Sequence, residues 1–339
     1  MRKTYKEPKV YLIGQTEINS KGLKQYFKDR DLNTESWVDE DHDNKYVLKH
    51  RKIDSSYLPE FAGRNCYDSF SIKQGRKNHL DYIGNILEMK HESVLEHVYY
   101  NFIFTDVSRG FTHELVRHRH GSYSQSSTRY IDFKDHPVLF SNLLENIEEE
   151  DVKEALRKLF GDSYNMSIKM YNVVKEIIKE RVGKGKKLIQ TTARALLPIG
   201  IQQTITATYN VRSLREMFIK RCSPAAAYEI RKAFNDVFDI VNELHRSFYS
   251  DMICIDLPDG TFEVLQINGI NIYKDNIVIN NEGFGQIKEN DKSNVVAVFD
   301  KKVGIEGILE SLKTTYNMYN AKSTNSSGNW VYIILEYKK

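Results

Sequence analysis

Apolar residues recur every three or four positions in several stretches of the chain, which is the period of an amphipathic helix. Such stripes predict short helices around residues 23–27 and 82–87. A third stripe predicts a long helix over 151–181, with Gly161 as a candidate break. The stripe of this long helix consists of Leu156, Leu159, Phe160, Tyr171, Val174 and Ile178.

Alternation of apolar and polar residues predicts strands in other stretches. Over residues 98–107 the side chains of Val98, Tyr100, Phe102 and Phe104 fall on one side, and a period of two with aromatic residues is typical of a half-buried strand. Short runs rich in β-branched residues predict further strands at 10–13 and 201–209.

Polar residues in front of apolar stripes predict where helices begin. Ser108 and Asn210 are each placed to cap a following helix. Ser223-Pro224 combines a capping residue with proline at the first helical position and predicts the start of a helix of more than six turns. Its stripe consists of Phe234, Val237, Phe238, Val241, Leu244 and Phe248. Residues 188–197 also have helical spacing, which Pro198 ends.

The pattern changes after residue 252, where short β-like runs replace the long stripes. These runs cover 261–267, 270–279, 295–299 and 330–337. Asp259-Gly260 predicts a tight hairpin turn, and one helix is expected over 305–319. We therefore predict an N-terminal extension (1–58), a main domain (59–252) and a small, β-rich α+β module (253–339).

Composition narrows the class of protein. The chain has 339 residues with 49 Lys and Arg against 46 Asp and Glu, a net charge of +3, which argues against a generally basic protein that coats nucleic acid. Cys66, Cys222 and Cys254 lack the paired spacing of a disulfide framework or a CxxC metal site. The first residues are charged and no long apolar run occurs, so we expect neither a signal peptide nor a membrane span, and we expect a cytoplasmic location.

Residues 117–130 are unlike the rest of the chain. They contain three arginines and two histidines, with no carboxylate between Arg117 and Arg129. Arginine presents a planar fork of donors that fits phosphate or carboxylate oxygens, and Ser127, Thr128 and nearby backbone N–H groups are suited to complete a phosphate cradle. Two alternatives stay open for this segment on its residues alone: a solvated charged loop, and a nucleic-acid contact.

Several motifs in this chain resemble those of flavin-dependent thymidylate synthases. The most specific is Arg117-His118-Arg119 followed, after seven residues, by Ser127. The others follow in the order of that family and are, by residue number, 62–67 (AGRNCY), 91–97 (HESVLEH), 194–198 (RALLP), 210–214 (NVRSL), Arg221 and 228–231 (YEIR). The resemblance covers about residues 59 to 250 and leaves out both ends of the chain.

The resemblance implies a fold and a reaction. The fold is α/β (α+β), with a central mixed or antiparallel sheet and long helices. The reaction is the methylation of dUMP to dTMP, with methylenetetrahydrofolate as the carbon donor, FAD as the hydride carrier and NADPH as the reductant of the flavin. The resemblance also implies a homotetramer with shared active sites, and neither a membrane nor a nucleic acid is expected as a partner.

The resemblance also assigns site residues. Arg221 is the expected catalytic residue, because a cation against the uracil ring stabilises negative charge that develops there. The residues implied to bind the flavin are His91, Ser93, Arg117, His118, Arg119, Gln125, Asn210, Val211, Arg212 and Glu216. The residues implied to bind dUMP are Glu114, Leu115, Val116, Arg117, Gln125, Ser126, Ser127, Thr128, Arg129, Arg194 and Arg221.

Three residues depart from the family pattern. Glu114 stands where Gln is frequent, Gln125 where Glu is common, and Glu216 where Asn or His is found. These departures keep two alternatives open: a related pyrimidine-nucleotide hydroxymethyltransferase, and a non-catalytic module that binds nucleotides or nucleic acid. No metal site is expected, because His91 and His97 lie about 240° apart around a helix, unlike the HExxH zinc pair.

Overall fold

The computed structural model describes residues 6–32, 54–70, 79–140, 144, 147–182, 185–266, 278–279, 284–286, 294–300, 319–327 and 330–337. The chain forms two compact units. Unit 1 consists of Met1–Gly14, Tyr100–Tyr209 and Ala226–Val237. Unit 2 consists of Gln15–Tyr99, Asn210–Ala225 and Phe238–Lys339.

The described chain is mainly helical up to Leu244 and consists of strands after Met252. The α-helices are α1 (Ser20–Asp29), α2 (Tyr57–Cys66), α3 (His79–Glu88), α4 (Arg109–Leu115), α5 (Glu150–Val182), α6 (Lys186–Ala193), α7 (Val211–Arg221) and α8 (Tyr228–Leu244). Short 3-10 helices cover Glu92–His97, Arg194–Leu196 and Arg246–Tyr249. The strands are β1 (Lys9–Gln15), β2 (Tyr99–Ser108), β3 (Ser122–Gln125), β4 (Gln202–Asn210), β5 (Met252–Asp256), β6 (Phe262–Gln266), β7 (Val278–Ile279), β8 (Phe284–Gln286), β9 (Asn294–Asp300), β10 (Tyr319–Ser327) and β11 (Trp330–Tyr337).

A four-stranded sheet in the order β1-β2-β4-β3 confirms the strands predicted at 10–13, 98–107 and 201–209. The side chains of Tyr100, Phe102 and Phe104 are all buried, as their alternation predicts. Strand β3 pairs antiparallel with β4 and was not predicted, because its sequence Ser-Tyr-Ser-Gln has neither β-branched residues nor an apolar alternation. The predicted α/β (α+β) class is confirmed.

Helix α5 confirms the long helix predicted over 151–181 but corrects two details. It runs without a break through Gly161, since glycine in a helix costs only about 1 kcal/mol. Leu159 and Phe160 are 67% and 40% exposed, so this part of the predicted apolar stripe does not face the core. The buried face is formed by Gly161, Ile168 and Tyr171. Ile168 and Tyr171 pack in a cluster of unit 1 with Phe133, Val138, Ala193 and Ile201.

The helix predicted from Ser223 begins later and is shorter than expected. Ser223 Oγ accepts a hydrogen bond from Ala225 N (3.3 Å), so this serine caps a local turn, and α8 begins only at Tyr228. The helix ends at Leu244, and Phe248 lies in the 3-10 helix Arg246–Tyr249. The aromatic part of the stripe is nevertheless buried, and in unit 2 Phe238 makes an edge-to-face contact with Phe218 at 5.0 Å.

The C-terminal part begins with a hairpin of β5 and β6. Gly260 has φ +78° at its turn, which confirms the turn predicted at Asp259-Gly260. A five-stranded sheet in the order β10-β11-β9-β8-β7 follows and confirms strands at 295–299 and 330–337. The helix predicted over 305–319 and most of the run at 270–279 lie outside the described residues.

The described residues also bear on the cysteines and on the possibility of a membrane span. All three cysteines are free thiols. Within the described residues, no helix combines the length and the apolar character that a membrane crossing needs.

Candidate active site

The predicted RHR motif lies in unit 1, directly after helix α4. Ser108 Oγ accepts a hydrogen bond from Phe111 N (3.0 Å), which confirms Ser108 as the cap of α4. A hydrogen bond within the loop beyond the helix stabilises its conformation, since Tyr123 Oη donates to His118 O at 2.6 Å. A side chain at Gly121 would bring its Cβ to 2.4 Å from the Tyr209 ring, so this position requires glycine.

The predicted nucleotide-binding loop continues from β3. Gln125 Nε2 donates to Thr112 Oγ1 at 2.6 Å, which fixes this amide on α4. Ser127 Oγ accepts from Arg129 N (3.3 Å), and Ser127 O accepts from Tyr130 N (3.1 Å). The loop therefore folds back on Ser127 as a compact turn, while the side chain of Arg129 stays exposed.

Helix α6 and the 3-10 helix Arg194–Leu196 support the same loop. Arg194 Nη1 lies 3.5 Å from Thr128 Oγ1 and donates to it. The buried Gln190 places its amide nitrogen, in the orientation that satisfies both amide atoms, 3.0 Å from Arg129 O and 3.1 Å from Tyr130 O. A hydrogen bond from Lys187 lowers the pKa of the Tyr130 phenol.

We call Arg109, Arg117, Arg119, Arg129 and Arg194 the loop cluster. None of these five arginines forms an ion pair with a carboxylate of the described residues. Burial, and then the charge of Arg194, lower the pKa of Arg109, whose Nε donates to His113 Nε2 at 2.9 Å. Uncompensated cations repel one another, and an anion with several oxygens relieves that repulsion.

Two of the residues predicted to bind the substrate, at the end of α4 and directly after it, differ in the exposure of their side chains. Leu115 is fully buried, so only its backbone is available to a ligand, whereas Val116 is 41% exposed. Glu114 lies near the partly buried Glu229: desolvation raises the pKa of Glu229, hydrogen bonds from Ser108 oppose that rise, and the charge of Glu114 adds to it.

The remaining predicted residues lie in unit 2, in the 3-10 helix Glu92–His97 and α7 or directly in front of them. His91 and Ser93 are exposed, whereas Leu95 anchors this 3-10 helix in the core. Asn210 Oδ1 accepts from Ser213 N (2.8 Å), which confirms Asn210 as the cap of α7. Val211 is buried and its N–H donates to Val98 O at 3.0 Å.

Charged side chains connect α7 with the 3-10 helix. We call Glu92, Glu96, Arg212, Arg215 and Asp251 the helix cluster. Arg212 Nη1 lies 2.5 Å from Glu96 Oε1, and Arg215 is buried against Glu92 and Asp251. No motif pointed to Arg109, Arg215 or Gln190 as functional residues, whereas Glu96 belongs to the HESVLEH segment.

The end of α7 carries the last two predicted residues. Glu216 forms an ion pair with Lys220, one turn further along, so its carboxylate charge is partly compensated within the helix. Arg221 is the final residue of α7 and is partly buried. Within the described ranges, no three His, Cys, Asp or Glu side chains group as a metal site would require.

Comparisons with known proteins assign the family. Residues 48–245 match the family described as thymidylate synthase complementing protein. The flavin-dependent thymidylate synthases of Mycolicibacterium vanbaalenii (strain PYR-1) and Mycobacterium tuberculosis (strain H37Rv) are each 32% identical over 211 residues, which cover 60% of this chain and 82% of the relative. A crystal structure of thymidylate synthase X from Helicobacter pylori with FAD and dUMP is 25% identical, covers 57% of this chain and 92% of its own, and has a TM-score of 0.39.

The family match spans more than half of the chain, and the chain covers most of the length of both relatives. The motif order that the sequence shows between residues 59 and 250 agrees with that match. The chain therefore belongs to the flavin-dependent thymidylate synthase family.

Proposed function

We propose that this chain is an enzyme that methylates dUMP to dTMP with FAD as the hydride carrier. The family supports the reaction, since its curated members are named flavin-dependent thymidylate synthases. The observation that carries the proposal in this chain is the loop cluster, where five arginines meet no carboxylate of the described residues. A nucleotide phosphate and a flavin pyrophosphate are anions of the kind that such a cluster attracts.

The co-substrates are a further part of the proposal. We infer from the family that methylenetetrahydrofolate supplies the carbon and that NADPH reduces the flavin. We also infer a cytoplasmic location, where these co-substrates are available.

The residue roles follow the family motifs. His91, Ser93, Asn210, Val211, Arg212 and Glu216 in unit 2, and Arg117, His118, Arg119 and Gln125 in unit 1, are assigned to the flavin. The exposure of His91, Ser93, Arg117 and Arg119 fits this role, because an exposed side chain is accessible to a ligand. Bound FAD supplies the hydride that completes the methyl group.

The nucleotide is assigned to residues around Ser127. Glu114, Leu115, Val116, Gln125, Ser126, Ser127, Thr128, Arg129 and Arg194 would orient dUMP, with the arginines on its phosphate. Arg221 would stabilise negative charge on the uracil ring and thereby make C5 more nucleophilic. Ser127 Oγ accepts a hydrogen bond from a backbone N–H and contacts no base among the described residues, which fits an orienting hydroxyl better than a covalent nucleophile.

We further propose a homotetramer with active sites shared between subunits. Helix α5 supports it, because an apolar stripe on its exposed side repeats with the seven-residue spacing of helix–helix interfaces. The stripe consists of Val152, Leu159, Met166, Met170, Val173 and Ile177, each at least 38% exposed. Such a stripe in water favours association with a second copy.

Subunit mixing tests the shared site. Arg129→Ala and Arg221→Ala proteins, each inactive, should regain about a quarter of wild-type activity when they are unfolded and refolded together, since random pairing unites the intact arginines in some sites. Mixed tetramers, verified by mass, that stay inactive would place both arginines in the same chain at each site.

The domain division also remains a proposal, and the packing of unit 2 sharpens its boundary. The hairpin of β5 and β6 buries Val264, and its Phe262 makes an edge-to-face contact with Phe238 at 5.9 Å. We therefore propose that the catalytic domain extends to Gln266. A chain that ends at 266 should stay folded and bind flavin, whereas a chain that ends at 252 should lose this packing.

Product analysis tests the function directly. The purified protein should be yellow, and with dUMP, methylenetetrahydrofolate and NADPH it should form dTMP. Mass spectrometry of the product separates dTMP from a hydroxymethylated nucleotide. Bound flavin would contradict a non-catalytic module, and a colourless protein that cannot be reconstituted with FAD would contradict the proposed enzyme.

A further inference from the structure

Helix α7 makes three contacts with residues 92–98, which are the 3-10 helix Glu92–His97 and the residue that follows it. Val211 N donates to Val98 O at 3.0 Å, and Arg212 pairs with Glu96 at 2.5 Å. One turn further along α7, Arg215 Nε lies 3.3 Å from Glu92 Oε1 and donates to it. The first two turns of α7 therefore hold both ends of this segment.

Arg215 differs from Arg212 in burial and in the number of its partners. Its side chain is only 2% exposed. Its Nη1 and Nη2 donate to the two carboxylate oxygens of Asp251, both at 2.7 Å, and Nη1 also donates to Phe248 O at 2.5 Å. Burial alone would lower the pKa of Arg215, but Asp251 and then Glu92 outweigh it and raise that pKa.

The contacts of Arg215 extend into the C-terminal hairpin. Gln266 Nε2, at the end of β6, donates to Asp251 Oδ2 at 2.8 Å. A continuous row of contacts thus runs from Gln266 through Asp251 and Arg215 to Glu92. A buried guanidinium must keep all its partners, so this row fixes its members closely.

Glu92 stands between two residues that are assigned to the flavin. His91 and Ser93 are exposed, while the Glu92 carboxylate reaches Arg215. A 3-10 helix has poorer hydrogen-bond geometry than an α-helix, and a segment of only six residues gains little rigidity from its own bonds. An anchor from outside the segment therefore decides how well it is held.

We propose that Arg215 is a positioning residue for the flavin site, which holds the backbone of His91 and Ser93 in place through Glu92. The identity of the ligand rests on the proposed function, but the anchoring of the segment does not. A segment that is already in place loses less freedom when a ligand binds, so the anchor raises the affinity for FAD.

Glu92 is the best position for a test, because its removal leaves Arg215 paired with Asp251. We would compare Glu92→Ala and Glu92→Gln with Glu243→Ala, which removes the same group from an exposed position on α8. The measurements are the Kd for FAD, the hydrogen exchange of backbone amides 93–98 without flavin, and the urea midpoint. Glu92→Ala should raise the Kd for FAD about tenfold, because it removes a hydrogen bond between charged groups. It should also speed the hydrogen exchange of amides 93–98.

The second variant grades the effect. The amide oxygen of Glu92→Gln still accepts from Arg215 Nε, so its Kd and its exchange rates should lie between those of wild type and Glu92→Ala. Glu243→Ala should match wild type. If Glu92→Ala does not fold, the comparison of Glu92→Gln with wild type decides in the same way.

The outcomes separate positioning from a merely structural role. A lower urea midpoint with an unchanged Kd and unchanged exchange in folded Glu92→Ala would overturn the inference, as would a variant that equals wild type throughout. If the wild-type protein binds no FAD, the proposed function fails, and the exchange of amides 93–98 still decides whether Glu92 and Arg215 hold this segment.

Discussion

The loop cluster and the helix cluster contain the same residue type in opposite settings. In the loop cluster, Arg117, Arg119 and Arg129 are exposed and meet no carboxylate of the described residues. In the helix cluster, Arg212 and Arg215 each meet at least one carboxylate, and Arg215 is buried. The family match over residues 48–245 covers the whole loop cluster and all of the helix cluster except Asp251.

The difference shows how one side chain serves binding and architecture. An arginine without a carboxylate keeps its donors available, and its repulsion from neighbouring cations favours an anionic ligand. An arginine that bridges several acceptors uses its N–H donors in hydrogen bonds within the chain, and its removal disturbs the backbone that these bonds hold. The comparison predicts that variants of the two clusters affect different measured quantities.

The largest effect is expected at Asp251. Asp251→Ala removes the carboxylate that accepts two hydrogen bonds from the buried Arg215. It should lower the free energy of unfolding by about 3–5 kcal/mol, the usual loss for a broken buried ion pair. Arg129→Ala, in the loop cluster, should change it by less than about 0.5 kcal/mol. Urea unfolding of both variants measures this, and equal losses would remove the distinction between the clusters.

The next effect concerns catalysis rather than stability. Arg221→Ala should lower the rate of methyl transfer by about 10²–10³ while the flavin stays bound, because a lost charge-stabilising donor typically costs that much. The rate at saturating dUMP and the absorbance of the bound flavin measure the two parts. Turnover close to that of wild type would show that the family assignment of Arg221 does not transfer to this chain.

A smaller effect is expected at Ser127. Ser127→Ala should weaken dUMP binding by roughly tenfold and leave measurable activity, since one hydrogen bond to a charged group is lost and no nucleophile is removed. Binding of dUMP and turnover are measured side by side, with Ser122→Ala on the exposed side of β3 as the control. A nucleotide adduct trapped on Ser127 would contradict the orienting role.

Local patterns of the sequence predicted much of the fold because they act over a few residues. The alternation of β2, the caps at Ser108 and Asn210 and the turn at Gly260 each depend on neighbours within one or two turns. The predicted start of α8 was wrong because a Ser-Pro pair is compatible with two local structures. It occurs as a helix cap, and it also occurs in a turn such as the one in which Ser223 accepts a hydrogen bond from Ala225 N.

The candidate site divides in the same way. The motifs located four arginines of the loop cluster, Arg117, Arg119, Arg129 and Arg194, whose role needs no partner within the chain. The fifth, Arg109, lies in no motif. Nothing in the sequence distinguished Arg215 from an exposed arginine, because its partner Asp251 is far along the chain and its burial depends on how α7 packs. Gln190 was missed likewise, since a glutamine amide that supports a distant loop has no local signature.

The smallest effect separates the two arginines inside the helix cluster. The Arg212–Glu96 pair is about half exposed on both sides, with side-chain exposures of 50% and 46%, so water screens it. A double-mutant cycle of Arg212→Ala and Glu96→Ala should give a coupling free energy of about 0.2–1 kcal/mol in urea unfolding. The same cycle on Lys220 and Glu216, another exposed pair of α7, is the control and should give a similar value. A coupling at Arg212–Glu96 well above that of the control would mean that this pair anchors the 3-10 helix as strongly as Arg215, and that exposure does not separate the two arginines.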